Sequence, residues 1–490
     1  MVLYHLRLKA RWPYLEIILA IFYISVVLYK QYRLFYSLNF VDFDMSIFHQ
    51  GIWLISRFHV PFVTVRGLNL FGDHTNFIDL IYVPIYWIFA HPFVLLTGET
   101  LAIGAAGVLL FFIAKKQFSS EIFALFTSFL FFSYPALHYL NFENYHPDVY
   151  VVLFVFMLWY GYLINSLKLF YFSSFLIILV KEQMSLILVC FGLYLYLFKK
   201  WKPAKWIVII GIFFFILLSY VVIPGVNNVK TYSRVDLWAS SAFNVFKGNM
   251  DFGNFLDNNV ITERNKDYLI DLFAPFGFFQ IFNPLMIMLN PLFVLNIITD
   301  WPYAHSIQYH YTAGIIGTLF ISFLEAAYAF NNYILGFFKK RYKNTFRYIK
   351  LYMYPILLLV FILYIIPFNQ RIEQNTLRFE NLFRTEPKID YKLLDEIKDM
   401  QNIVGSESIS VSYPLLLFFS SRKEIFMWTN PFKNGYYGVN DSDTYETKPF
   451  YILLYRPVIG ENDFNLTRSY NYTIINETEK LVLFKSDIIK

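Results

Sequence analysis

The feature that most restricts this chain is a series of long apolar stretches almost free of charge. They lie at about 13–36, 99–114, 119–140, 148–166, 168–180, 183–198, 204–224, 311–337 and 349–368. A helix needs roughly 20 mostly apolar residues to cross a bilayer, and spans inside bundles can be shorter. Nine such stretches are too many and too long for the core of a soluble helical protein. The expected fold class is mainly α, a polytopic transmembrane helical bundle. The first stretch is too long, too late and too aromatic for a cleaved signal peptide, and reads as a retained anchor.

Composition matters here for where the charges fall. The 490 residues are 57% hydrophobic and 16% charged, whereas soluble domains carry about 25% charged residues. Residues 371–490 alone hold 15 Lys+Arg and 17 Asp+Glu, a density typical of a water-soluble unit. The expected organisation is a transmembrane domain over 1–370, with outer loops 37–98 and 225–310, followed by a small extracytoplasmic α/β domain over 371–490. Short segments such as Ile409–Ser412 and Tyr451–Tyr455 read as its regular elements. One cysteine, Cys190, excludes an intramolecular disulfide and a Cys-based zinc site.

Lys and Arg in short loops stay cytoplasmic. The basic clusters are Arg7–Arg11, Lys115–Lys116, Lys168, Lys199–Lys205 and Lys339–Lys343. An even number of crossings separates each neighbouring pair. The N-terminus is then cytoplasmic and the C-terminal domain extracytoplasmic, after about nine crossings. This holds only if 168–198 makes two short crossings, turning at Lys181-Glu182-Gln183. It also requires the apolar segment 76–97 to lie in the outer interface, where Trp and Tyr are comfortable. The stretch 268–299, broken by Pro275, Gly277, Pro284 and Pro291, reads as re-entrant or interfacial. The basic residues set orientation, so no nucleic-acid surface is expected.

Ionisable residues beside membrane spans are costly and are functional candidates by default. Here they gather on the expected outer side. Asp42, Asp44, Arg66, Asp73 and His74 lie in the first outer loop, Glu143, His146 and Asp148 in the second, Lys181 and Glu182 at the third, and His305 and His310 at the last. Each has an ordinary structural explanation. Asp42 and Asp44 suit a helix start, the histidines an interface, and Lys181-Glu182 an ion pair at a turn. Carboxylates at i and i+2 do not face one another on a helix, so the Asp pair alone is no acid/base dyad. The triplets at Asn440, Asn465, Asn471 and Asn476 match the N-glycosylation pattern.

Five motifs then appear in order: Phe43-Asp44-Met45-Ser46-Ile47-Phe48-His49-Gln50, Gly72-Asp73-His74, Tyr145-His146-Pro147-Asp148, Lys181-Glu182 and Tyr309-His310-Tyr311. Across about 35–430 the chain resembles a family of archaeal and bacterial multi-pass membrane proteins of unknown function. That family in turn resembles, distantly, the GT-C glycosyltransferases, among them the protein mannosyltransferases and the lipid A aminoarabinose transferase. Those enzymes have a first span, a long outer loop with an acidic residue near its start, interfacial helices and often an extracytoplasmic domain.

The resemblance implies a membrane glycosyltransferase that takes a sugar from a polyprenyl-phosphate-linked donor in the bilayer and passes it to an acceptor. Asp44, or its neighbour Asp42, stands where those enzymes place the catalytic acid group, and Asp148 where some have a second functional acid. The usual adjacent acidic pair is split here by Phe43, which leaves open which aspartate matters. Arg66 and Lys181 would face the departing phosphate. Asp73, His74, His146, Asp148, Glu182 and His310 would bind substrate. A divalent metal is compatible with these residue types, but no ligand spacing supports one. The rival readings are a lipid or solute transporter or flippase, whose charges should lie nearer the membrane midplane, and a non-catalytic membrane protein.

Overall fold

The structure is a computed structural model and describes residues 12–40, 42–227, 234–287, 291–341, 388–432 and 448–488. The expected stretch 349–368 and the triplet at Asn440 lie outside the described residues. Helices form where the apolar stretches lie and also in the segments between them. They are α1 (Trp12–Tyr36), α2 (Asp42–Ser56), α3 (Val83–Ile88), α4 (Phe93–Phe118), α5 (Glu121–Phe132), α6 (Pro135–Glu143), α7 (Tyr150–Leu163), α8 (Leu167–Val180), α9 (Ser185–Leu197), α10 (Lys205–Leu217), α11 (Arg234–Phe246), α12 (Glu263–Phe273), α13 (Pro291–Ile298) and α14 (Ala313–Arg341).

Two boundaries differ from the sequence expectation. Helix α4 starts at Phe93 rather than 99, because Glu99 is accommodated inside the bundle, where Gln31 of α1 donates to its carboxylate at 3.2 Å. The 119–140 stretch is two helices bent by 45°, broken where Pro135 starts α6. Four helices among the described residues are long and apolar enough to cross a membrane, or five if the bent pair counts as one span. Helices α7, α8 and α9 are shorter, at 14, 14 and 13 residues.

The bundle packs α1 against α4, α4 against α5 and α7, α7 against α8 and α14, and α9 against α10. Gly161 lets the start of α8 close on α7: a Cβ there would meet the Phe170 backbone nitrogen at 2.8 Å. Large apolar side chains face outward, including Ile18 and Phe22 on α1, Phe172 and Phe175 on α8, and Ile209 and Phe213 on α10. Such a band is stable only against lipid. Residues 77–88 form a short 3-10 segment and α3, with Ile78, Tyr82 and Tyr86 buried and Ile81, Ile85 and Trp87 exposed. That two-faced pattern fits the expected interfacial helix, although residues 93–97 belong to α4. The 268–299 region is broken as expected, with Gly277 at φ +58° after one turn.

After the bundle comes a compact α/β unit. Strands β3 (Ile409–Val411), β4 (Ile425–Met427), β5 (Tyr451–Tyr455), β6 (Tyr472–Glu477) and β7 (Leu481–Ser486) form a sheet in the order β4-β3-β5-β7-β6. The β3–β4 and β3–β5 pairs are parallel and the rest antiparallel. Strands β1 (Phe62–Val63) and β2 (Leu68–Asn69) make a small hairpin in the loop after α2. Helix α15 (Tyr391–Val404) buries Leu393, Ile397, Met400 and Val404, one face at helical spacing, and is capped by Asp390.

This unit is docked on the first loop. Gln50 donates to the carbonyls of Arg422 (3.3 Å) and Lys423 (3.0 Å). The Thr64 hydroxyl donates to the Ile425 carbonyl (2.7 Å) and accepts from its N–H (2.9 Å), which covers the edge strand β4. His49 bridges Tyr86 and Ser421 at 2.8 Å each. Burial pushes His49 down to about 3, so at neutral pH it holds this junction as an uncharged ring. The sheet unit and the first loop therefore lie on one side of the bundle.

Candidate functional site

The ends of α6 and α8 and the starts of α2 and α14 converge on one cluster of ionisable side chains. Asp44 is the third residue of α2. Its side chain keeps 40% of its surface accessible. Burial pushes the Asp44 carboxyl above its ordinary value. His310 and Arg66 pull it back, and Glu143 and Asp73 add to the rise. A carboxyl shifted upward toward neutrality accepts a proton more effectively than an ordinary one.

Around Asp44 the charges are arranged in pairs. His146 Nε2 stands 3.8 Å from Asp44 Oδ2. Lys181 Nζ donates to both Asp148 oxygens at 3.3 and 3.4 Å, with each side chain 5% exposed or less. His74 Nδ1 lies 2.8 Å from Glu182 Oε1, and the other Glu182 oxygen accepts from the Thr75 N–H at 3.2 Å. Arg66 Nε donates to Asp73 Oδ2 at 3.3 Å. The His310 ring stacks on His146 at 3.6 Å. Burial holds His146 well below its ordinary value, and His310, Lys181 and His74 add to the effect, so the ring is neutral.

Nine of the ten nominated residues therefore come together: Asp44, Arg66, Asp73, His74, His146, Asp148, Lys181, Glu182 and His310. Asp42 opens α2, but its side chain lies outside the described residues. Three further members are not among those ten. Glu143 accepts from the His310 N–H at 2.6 Å. Tyr145 donates to Asp79 at 2.6 Å. Burial pushes Asp79 up to about 8, against the Tyr145 hydrogen bond, so at neutral pH it is protonated. The Glu143-x-x-His146 spacing was a visible signal for the first of these.

Helix length sets the depth of the cluster. Helices α7, α8 and α9 are each about 20 Å long at 1.5 Å per residue, against a hydrocarbon core of about 30 Å. One end of these helices lies at Lys168 and Lys199. The other carries His146–Asp148 and Lys181–Glu182. Were the basic ends at one membrane face, the cluster would lie up to about 10 Å short of the other. Beside Glu182 opens a cavity of about 100 Å³, with Gln183, Ser219, Trp238, Asn296 and Tyr311 in its walls. The α10 backbone borders it with a π-helical turn at Leu218–Val222, a distortion frequent at functional sites.

The family described as "Predicted membrane protein (DUF2079)" matches residues 34–483. No curated protein is similar to the chain by sequence. Among solved structures, the chain is similar to ArnT from Cupriavidus metallidurans bound to undecaprenyl phosphate. The identity is 10% and the TM-score 0.48, over 95% of this chain and 97% of that one.

Proposed function

The chain belongs to the DUF2079 family of predicted membrane proteins, and from its ionisable cluster we propose that it is a membrane glycosyltransferase. It transfers a sugar from a polyprenyl-phosphate-linked donor to an acceptor on the extracytoplasmic face. The observation that supports this best is Asp44: a partly accessible carboxyl, raised by burial, inside a ring of paired charges at the ends of helices too short to reach both membrane faces. A group at such an end meets the headgroup end of a lipid whose tail lies in the bilayer. The donor class follows from the sequence resemblance to the GT-C enzymes.

In the step proposed, the acceptor oxygen attacks the anomeric carbon and forms the new C–O bond. The bond from that carbon to the carrier phosphate oxygen breaks, and its electron pair leaves with the phosphate. Asp44 takes the acceptor proton. The fixed positive charges of Lys181 and Arg66 favour the departing phosphate, Arg66 with a fork suited to phosphate oxygens. The cavity beside Glu182 offers polar groups and two aromatic faces, Trp238 and Tyr311, for a sugar ring.

The test is a transfer assay on purified protein with labelled polyprenyl-phosphate sugars and a panel of hydroxyl acceptors. Appearance of glycosylated acceptor with release of carrier phosphate is the expected result. A lipid or solute crossing vesicles with no donor consumed would favour the transporter reading instead. Orientation has its own check. Asn462, exposed on α16 (Glu461–Ser469), is replaced by Cys, with the native Cys190 buried. Asn462→Cys is expected to react with an impermeant maleimide on intact cells. Reaction only after lysis would reverse the face assigned to the site.

A further inference from the structure

We propose that Glu143, His146 and His310 bind one divalent transition-metal ion beside Asp44, with Zn²⁺ the best match. Each of the three residues is buried and offers one ligand atom, and these atoms lie within 4.8 Å of one another. Donors bound to one Zn²⁺ at about 2.0–2.1 Å in tetrahedral geometry stand roughly 3.3 Å apart. Side-chain adjustment of about 1.5 Å or less therefore closes the site.

A second observation points to a ligand independently of the clustering. His146 is 3% exposed, and its Nε2 has no hydrogen-bond partner. Its neighbour across the cluster, Asp44 Oδ2, is 3.8 Å away, too far for a hydrogen bond. A buried polar atom without a partner is costly, and native structures seldom keep one without a reason such as an ion. The carboxylate opposite is already oriented. Glu143 Oε2 is held by the His310 N–H at 2.6 Å, which leaves Oε1 turned toward the imidazoles. The two rings stack at 3.6 Å with 19° between their planes, so their nitrogens edge the same space.

Donor chemistry selects the ion. Two imidazoles and one carboxylate suit Zn²⁺ and its first-row neighbours, not Mg²⁺ or Ca²⁺, which take oxygen ligands. Three protein ligands with a fourth position open is the arrangement of catalytic rather than structural zinc sites. Charge accounting agrees. Arg66 and Lys181 face Asp73 and Asp148, whereas Glu143 and Asp44 face imidazoles. A dication between those two carboxylates balances both. The role of the ion rests on the transferase reading: there it would polarise an oxygen of the carrier phosphate or of the acceptor. Its binding does not depend on that reading.

The experiment uses the full chain in detergent, stripped with chelator and then titrated with Zn²⁺. Metal content and the thermal unfolding midpoint are read at each step. The expected result is one Zn²⁺ per chain, a midpoint that rises on loading, and no displacement by millimolar Mg²⁺. Glu143→Gln and His310→Ala are expected to weaken binding at least about tenfold, and Asp44→Asn to retain it. Wild type decides alone if a variant fails to fold. No zinc-dependent rise in its midpoint and no stoichiometric zinc overturn the site, as does unchanged zinc content in well-folded Glu143→Gln and His310→Ala. Full transfer by zinc-free protein overturns the catalytic role. Zinc-loaded protein that transfers nothing overturns the transferase reading and leaves the metal site standing.

Discussion

Asp44→Asn is expected to lower the turnover rate by about 10²–10⁴-fold, the usual worth of a positioned general base. The amide keeps the size of the carboxyl and loses the ability to take a proton. Donor KM should change little, because the interaction removed is made as the acceptor proton leaves. Asp42→Asn is the informative partner. The two residues are two apart on α2, and positions i and i+2 do not share a helix face. If Asp44 is the base, Asp42→Asn should keep its rate within several-fold. The measurement is turnover at saturating donor, with the thermal midpoint of each variant recorded alongside. Equal activity of Asp44→Asn and wild type would remove Asp44 from the chemistry. Equal loss in both variants with lowered midpoints would mark the start of α2 as structural.

Much of this arrangement was legible in the sequence because the bilayer penalises charge so heavily. Lys181-Glu182 between two apolar stretches had to be a turn, and the chain does turn there, with α8 ending at Val180. The same penalty marked His74, His146 and Asp148 as worth naming. What stayed hidden depends on partners far away in sequence. Glu143 meets His310 across 167 positions, and no local pattern shows that contact. Glu99 looked like the polar edge of a span, yet Gln31 and the bundle interior accommodate it, so α4 begins a turn and a half earlier. The α5–α6 break did carry a local sign in Pro135, which fits the first turn of a helix better than its middle. Docking of the β-sheet unit on Gln50 and Thr64 had no local sign, because hydroxyl and amide contacts to backbone leave no periodicity.

The largest stability effect is expected at Lys181 and Asp148. Their side chains are 5% and 2% exposed, so solvent screens the pair little. Removing one partner leaves a buried charge uncompensated, which typically costs about 3–5 kcal/mol. Lys181→Met and Asp148→Leu alone should each lower the thermal midpoint in detergent markedly. Replacing both with apolar residues of similar volume should recover most of the loss, since a well-packed apolar pair often matches a buried ion pair. That recovery separates two roles of Lys181. If its charge serves only to hold the α8–α9 turn against Asp148, the double variant regains activity together with stability. If its charge also favours the departing phosphate, the double variant folds like wild type and still transfers sugar at least about 10²-fold more slowly, the scale on which losing one electrostatic stabiliser is felt. The transferase reading predicts the second outcome. A stable double variant at full rate would leave Arg66 as the only nominated cation for the phosphate.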